Sequence, residues 1–102
     1  MSNIAQLKEF IKDSPKDSFL QYALALEHVK IKEYDEAINI FQMLIEVDEE
    51  YLATYYQYAN ILAELGQTNE AEVIYKKGIE IASQQNKIKT KQELEQALFL
   101  LD

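Results

Sequence analysis

The side chains with the most chemical potential in this 102-residue chain are few. They are the tyrosines Tyr51, Tyr55, Tyr56 and Tyr58, the single histidine His28, the amide Asn60 and the acid run Asp48, Glu49, Glu50. Tyrosines beside a side-chain amide can bury apolar groups and still hydrogen-bond a peptide backbone. At helical spacing Tyr51, Tyr55 and Tyr58 share a face and Tyr56 points elsewhere. The trio suits packing between helices with hydroxyls at the rim, with ligand contact as the alternative, and Tyr56 is the tyrosine expected to be accessible. A lone histidine cannot form a multi-histidine metal site, and no Ser or Thr is arranged as its nucleophilic partner. His28 is therefore expected to be packed or half-exposed. The acid run lacks the spacing and the turn glycine of a calcium loop and reads as surface charge. There is no cysteine, no Gly-rich phosphate loop, no nucleophile elbow and no zinc motif. No catalytic residue, metal or cofactor is expected, and the chain does not read as an enzyme.

Helices must position these groups. Ile4, Leu7, Phe10 and Ile11 form one stripe over residues 4–13, which Pro15 ends. Asp17 or Ser18 can cap the next helix, 18–31, which is apolar on almost every side and so needs cover on more than one. A helix over 34–48 carries Ala37, Ile38, Phe41, Leu44 and Ile45 on one stripe. Residues 51–65 form the next, closed by a left-handed Gly66. Thr68 is the expected cap of the following helix, inside which Gly78 would allow close helix approach. A polar connection, 84–89, leads to a final helix whose start is signalled by Thr90 and Glu93 at capping-box spacing. Leu94, Ala97, Leu98 and Leu101 make its apolar face. No strand-like alternation occurs, so six helices and no sheet are predicted.

These helices repeat. Displaced by thirty-four residues, Tyr22, Ala25, Glu36, Ala37, Ile40, Ile45 and Glu46 fall on Tyr56, Ala59, Glu70, Ala71, Ile74, Ile79 and Glu80. A fixed period of this length on helical spacings marks stacked helix-turn-helix units. Small residues pair as Ala25 with Ala37 and Ala59 with Ala71. Aromatic Phe41 and Tyr75 recur in the second helices, with Tyr55 near the start of the second unit and Gly66 in its turn.

On these residues the chain resembles the tetratricopeptide repeat family. The resemblance implies an all-α, right-handed stack of antiparallel helix pairs in a single domain, 1–102. It would comprise a half unit at 4–13, repeats at 18–51 and 52–85, and a C-terminal capping helix at 90–101. Departures are Gln21 in place of the large aromatic, Lys32 in place of the turn glycine, and Glu49 and Ser83 in place of the inter-repeat proline. His28 and Leu62 stand where tyrosine is common. The resemblance further implies a concave partner-binding face carrying Phe19, Tyr22, Leu26, Val29 and Lys30, then Ala53, Tyr56, Asn60, Ala63 and Glu64. Phe19 and Leu26 suit core packing equally well. Asn60 matches a position used by members that grip a C-terminal carboxylate. Tyr22 and Tyr56 replace the lysine of that clamp and the chain has no arginine, so a carboxylate clamp is not expected.

Charge narrows the partners. Eighteen acids against ten lysines leave a net charge of −8, which disfavours nucleic acid and anionic membrane. The charge is uneven, with ten acids and no lysine from Glu33 to Tyr75, then five lysines and one acid from Lys76 to Lys91. That is a solvated surface, or an acidic face meeting a basic one in a partner or a second copy. The start of the chain does not look like a signal peptide and no stretch suits a membrane span. A cytoplasmic protein-interaction module binding a peptide or helix is the leading expectation, and a self-assembling homo-oligomeric scaffold the alternative.

Overall fold

The computed structural model describes residues 3–101, and among them the regular structure is six helices and no strand. In chain order they are α1 (Ile4–Asp13), α2 (Ser18–Lys30), α3 (Tyr34–Val47), α4 (Ala53–Glu64), α5 (Thr68–Gln84) and α6 (Ile88–Phe99). They fall into two compact units, Met1–Tyr51 and Leu52–Asp102.

In the first unit α2 packs against both α1 and α3. Asp17 is the residue that caps α2, its carboxylate accepting from the Leu20 N–H at 3.2 Å and satisfying a donor the helix cannot. Ser18 begins the helix instead, and its hydroxyl donates to Asp48 Oδ2 at 2.5 Å. Ala25 and Ala37 have no exposed surface, as close packing of α2 and α3 demands, and Phe41 and Leu44 are buried beside them. Each such large side chain contributes roughly 1.5–3 kcal/mol by leaving water. His28 is buried and its Nδ1 donates to Glu33 Oε1 at 2.8 Å.

The α2–α3 turn rests on Lys32, whose φ of 63° is left-handed. Lys32 N–H donates to Val29 O and Glu33 N–H to His28 O, at 3.0 and 2.9 Å. These paired bonds satisfy two carbonyls that the helix end leaves open. The second unit builds the same turn twice. At α4–α5 it is Gly66, φ 80°, with Gly66 N–H to Ala63 O and Gln67 N–H to Leu62 O. At α5–α6 it is Asn86, φ 58°, with Asn86 N–H to Ser83 O and Lys87 N–H to Ala82 O. Thus α5 is the second helix of one hairpin and the first helix of another. Tyr55, Tyr58, Ala59, Leu62, Ala71, Tyr75 and Leu94 fill the core of this unit. Gly78 lies where α5 meets α4 and α6, and a Cβ there would stand 2.7 Å from Tyr55 Cβ and 3.1 Å from Leu94 Cδ1.

Two expected caps are corrected. Thr68 is the first residue of α5, Gln67 precedes it, and no side chain caps the helix. Thr90 lies inside α6, which starts at Ile88 after Lys87. The reason is shared: the paired turn bonds return the chain to helix two residues after the left-handed position, with Gln67 or Lys87 between. The expected polar connection 84–89 therefore shrinks to 85–87, and the last helix begins earlier than residue 90 and ends at Phe99, before Leu101.

Candidate functional site

In the first unit the α2 positions 19, 22, 26, 29 and 30 follow helical spacing, but they meet different surroundings. Leu26 and Lys30 border a cleft of about 380 Å³ between α1 and α2, whose other walls include Leu7, Phe10 and Ala23. The rim is polar: Asn3 Nδ2 donates to Glu27 Oε1 at 3.2 Å, and Lys30 Nζ pairs with Glu27 Oε2 at 3.4 Å. Phe19 is not a core residue; it is 61% exposed and belongs to no described cleft wall. Val29 is half-buried and also outside the cleft. The half-buried Tyr22 turns its ring edge to face against Tyr51, with centroids 5.8 Å apart and planes at 61°. Burial, and after it the carboxylates of Asp17 and Asp48, raise the Tyr51 phenol above its ordinary pKa of 10.0.

In the second unit Tyr55 and Tyr58 are buried whereas Tyr56 keeps 36% of its surface exposed. Tyr56, Asn60 and Glu64 recur every four residues and so share one face of α4. Ala53 is exposed near the start of the helix and Ala63 is half-buried. The Asn60 side chain is held from α5, where the buried Tyr75 donates its hydroxyl to Asn60 Oδ1. Burial raises the Tyr75 phenol above its ordinary pKa, with Tyr56 and Glu64 adding to the shift.

Sequence reasoning missed two sets of residues here. Leu7 and Phe10 join Leu26 because α1 packs on α2, which the stripe on 4–13 signals without naming its neighbour. Periodicity marks Tyr75 only as a recurring aromatic and says nothing of its hydroxyl; the change from Phe41 to Tyr75 across the repeat is the available signal. Among the described residues no group of three or more His, Asp or Glu could hold a metal, and no helix is long and apolar enough to cross a membrane.

Known proteins show where this arrangement recurs. A solution NMR structure of a tetratricopeptide repeat domain protein from Salinibacter ruber is 35% identical, with a TM-score of 0.83 over 86% of this chain and 89% of that one. A crystal structure of a tetratricopeptide repeat domain protein from Salinibacter ruber is 36% identical, with a TM-score of 0.78 over 81% and 93%. The pre-mRNA-splicing factor CLF1 of Eremothecium gossypii is 32% identical over 65 residues, which is 64% of this chain but only 9% of that protein. The sequence pattern of the tetratricopeptide repeat matches residues 29–94, from the end of α2 into α6. Such domains generally bind protein partners and form a non-catalytic interaction fold. With the paired buried alanines, the left-handed helix turns and the thirty-four-residue echo all present, this chain belongs to the tetratricopeptide repeat family.

Proposed function

We propose that the chain is a non-enzymatic protein-interaction module that receives a peptide or helix of a partner on the first-helix face of each repeat. In α2 the contacts are Phe19, Tyr22, Leu26, Val29 and Lys30. In α4 they are Ala53, Tyr56, Asn60, Ala63 and Glu64. The observation that carries this reading is the incomplete cover of α2. That helix is apolar on nearly every side, yet Phe19 is 61% exposed and Leu26 opens on a cleft. Apolar surface grouped beside polar rim groups is the composition of interaction sites. The acidic, arginine-free composition favours protein over nucleic acid as the partner, and the absence of cysteine suits the cytoplasm. The working unit is taken to be the whole chain, 1–102.

Selection from a random peptide library on the immobilised chain tests this. Selected peptides should lose at least about tenfold in affinity on Leu26→Asp, which charges the apolar cleft, and on Tyr56→Ala. Circular dichroism should show both variants folded. A library that yields no binder, or binders indifferent to both changes, contradicts the reading.

Self-assembly is the second reading. Phe99 and Leu100, at the end of α6, are 86% and 69% exposed, and the lysine-rich stretch 76–91 complements the acidic stretch 33–75. Association through those charges would weaken with salt. Light scattering across protein concentration and salt decides it: a monomer throughout removes this reading.

A further inference from the structure

Asn60 is a primary amide, with one acceptor oxygen and two N–H donors on opposite sides. Its oxygen is engaged by the hydroxyl of Tyr75, a buried residue of α5. That bond turns the NH₂ group away from the Tyr75 hydroxyl. No described residue accepts from the NH₂ group, and Asn60 keeps part of its surface in solvent. Thirty-four residues earlier the same two positions are Leu26 and Phe41. The pair changes as a pair: apolar with apolar in the first unit, amide with phenol in the second. Packing alone does not call for the hydroxyl, because Phe41 fills the matching position and is fully buried.

Resting on the reading that the α4 face receives a peptide, we infer that Tyr75 is a positioning residue, holding Asn60 with its N–H donors outward so that this repeat selects a neutral peptide carbonyl of the partner. Glu64 lies one turn beyond Asn60 on the same face of α4, and its carboxylate repels a carboxylate ligand. The chosen acceptor is therefore a backbone carbonyl and not a chain-terminal carboxyl group. The Tyr75 phenol donates at neutral pH as any phenol does, and burial, with Tyr56 and Glu64, only moves its ionisation further above that range. In the first unit Lys30 occupies the position matching Glu64, and Leu26 offers no hydrogen bond, so that face takes an apolar side chain instead. The two repeats thus read different features of one ligand chemistry, a peptide.

The test uses the intact chain and a peptide selected on it from a random library, synthesised with an amidated C-terminus. Tyr75→Phe removes only the hydroxyl and should weaken binding roughly three- to tenfold, the scale of one directed hydrogen bond. Asn60→Asp keeps an acceptor for Tyr75 but has no donor, and should weaken binding at least as much. In an Asn60→Ala chain, Tyr75→Phe should change affinity by less than about twofold, because the positioned group is already absent. Wild-type affinity in a folded Tyr75→Phe chain overturns the inference. So does an equal loss in the Asn60→Ala background, which would make the role of Tyr75 purely structural. A library that yields no binding peptide removes the reading beneath the inference, and the inference with it.

Discussion

The left-handed helix turns allow stability to be moved in both directions by single substitutions. Lys32 at φ 63° and Gly66 at φ 80° occupy matching turns with matching hydrogen bonds. A non-glycine residue in this region costs about 1–2 kcal/mol per position. Glycine gives back about 0.5–1 kcal/mol through its larger loss of chain freedom on folding. Lys32→Gly should therefore stabilise the chain by about 0.5–1 kcal/mol, raising the melting temperature by several degrees. Gly66→Ala should destabilise it by a similar amount. A Cβ at Gly66 would meet nothing within 4 Å, so that change reports backbone strain without a steric contribution. Asn86→Gly should gain less than Lys32→Gly, since asparagine tolerates the left-handed region better. Urea and thermal unfolding followed by circular dichroism measure all three. A neutral or destabilising Lys32→Gly, or a neutral Gly66→Ala, refutes the strain argument.

Gly78→Ala should destabilise by about 1 kcal/mol: overpacking against Tyr55 Cβ at 2.7 Å costs about 1–3 kcal/mol and outweighs a helix-propensity gain of about 1 kcal/mol. Urea unfolding measures it, and a gain in stability would mean that α4 and α5 can separate freely. Tyr51 and Tyr75 have raised phenol pKa values, chiefly through burial. Below the ordinary value near 10 the phenols are protonated in both folded and unfolded chains, and their contribution to stability is fully present. Above it the unfolded chain loses their protons first, so that contribution falls as pH rises through the folded pKa values. In a phenolate absorbance titration, Tyr51→Phe and Tyr75→Phe should each remove a late-ionising group from the seven tyrosines; loss of an early one would contradict the assignment.

The helices were legible because their signals were local and redundant. Pro15 and Gly66 mark ends, apolar stripes mark faces, and the echo places Ala25 on Ala59 and Ala37 on Ala71. Lys32 stands out as a turn residue only because Gly66 sits thirty-four residues on. Asn86 had no such partner, lying twenty residues after Gly66, so its turn stayed hidden and residues 84–89 read as a longer connection. Thr68 and Thr90 looked like caps because their types and spacing suit caps, but the turn bonds decide where each helix restarts. On the candidate faces, spacing placed Tyr56, Asn60 and Glu64 together and set Tyr56 apart from its buried neighbours. Spacing within one helix could not show that Leu26 faces Leu7 and Phe10, that Tyr22 rests on Tyr51, or that Tyr75 reaches Asn60. Those are contacts between elements, and periodicity carries no information about them.

The central claim is that the first-helix faces of α2 and α4 receive a peptide. Titrating isotope-labelled chain with a library-selected peptide and following each backbone amide by NMR tests it most directly. The expected result is saturable shifts centred on Tyr22 and Leu26 in α2 and on Tyr56 and Asn60 in α4. Saturable shifts confined to exposed positions of the second helices, such as Gln42 and Val73, would contradict it.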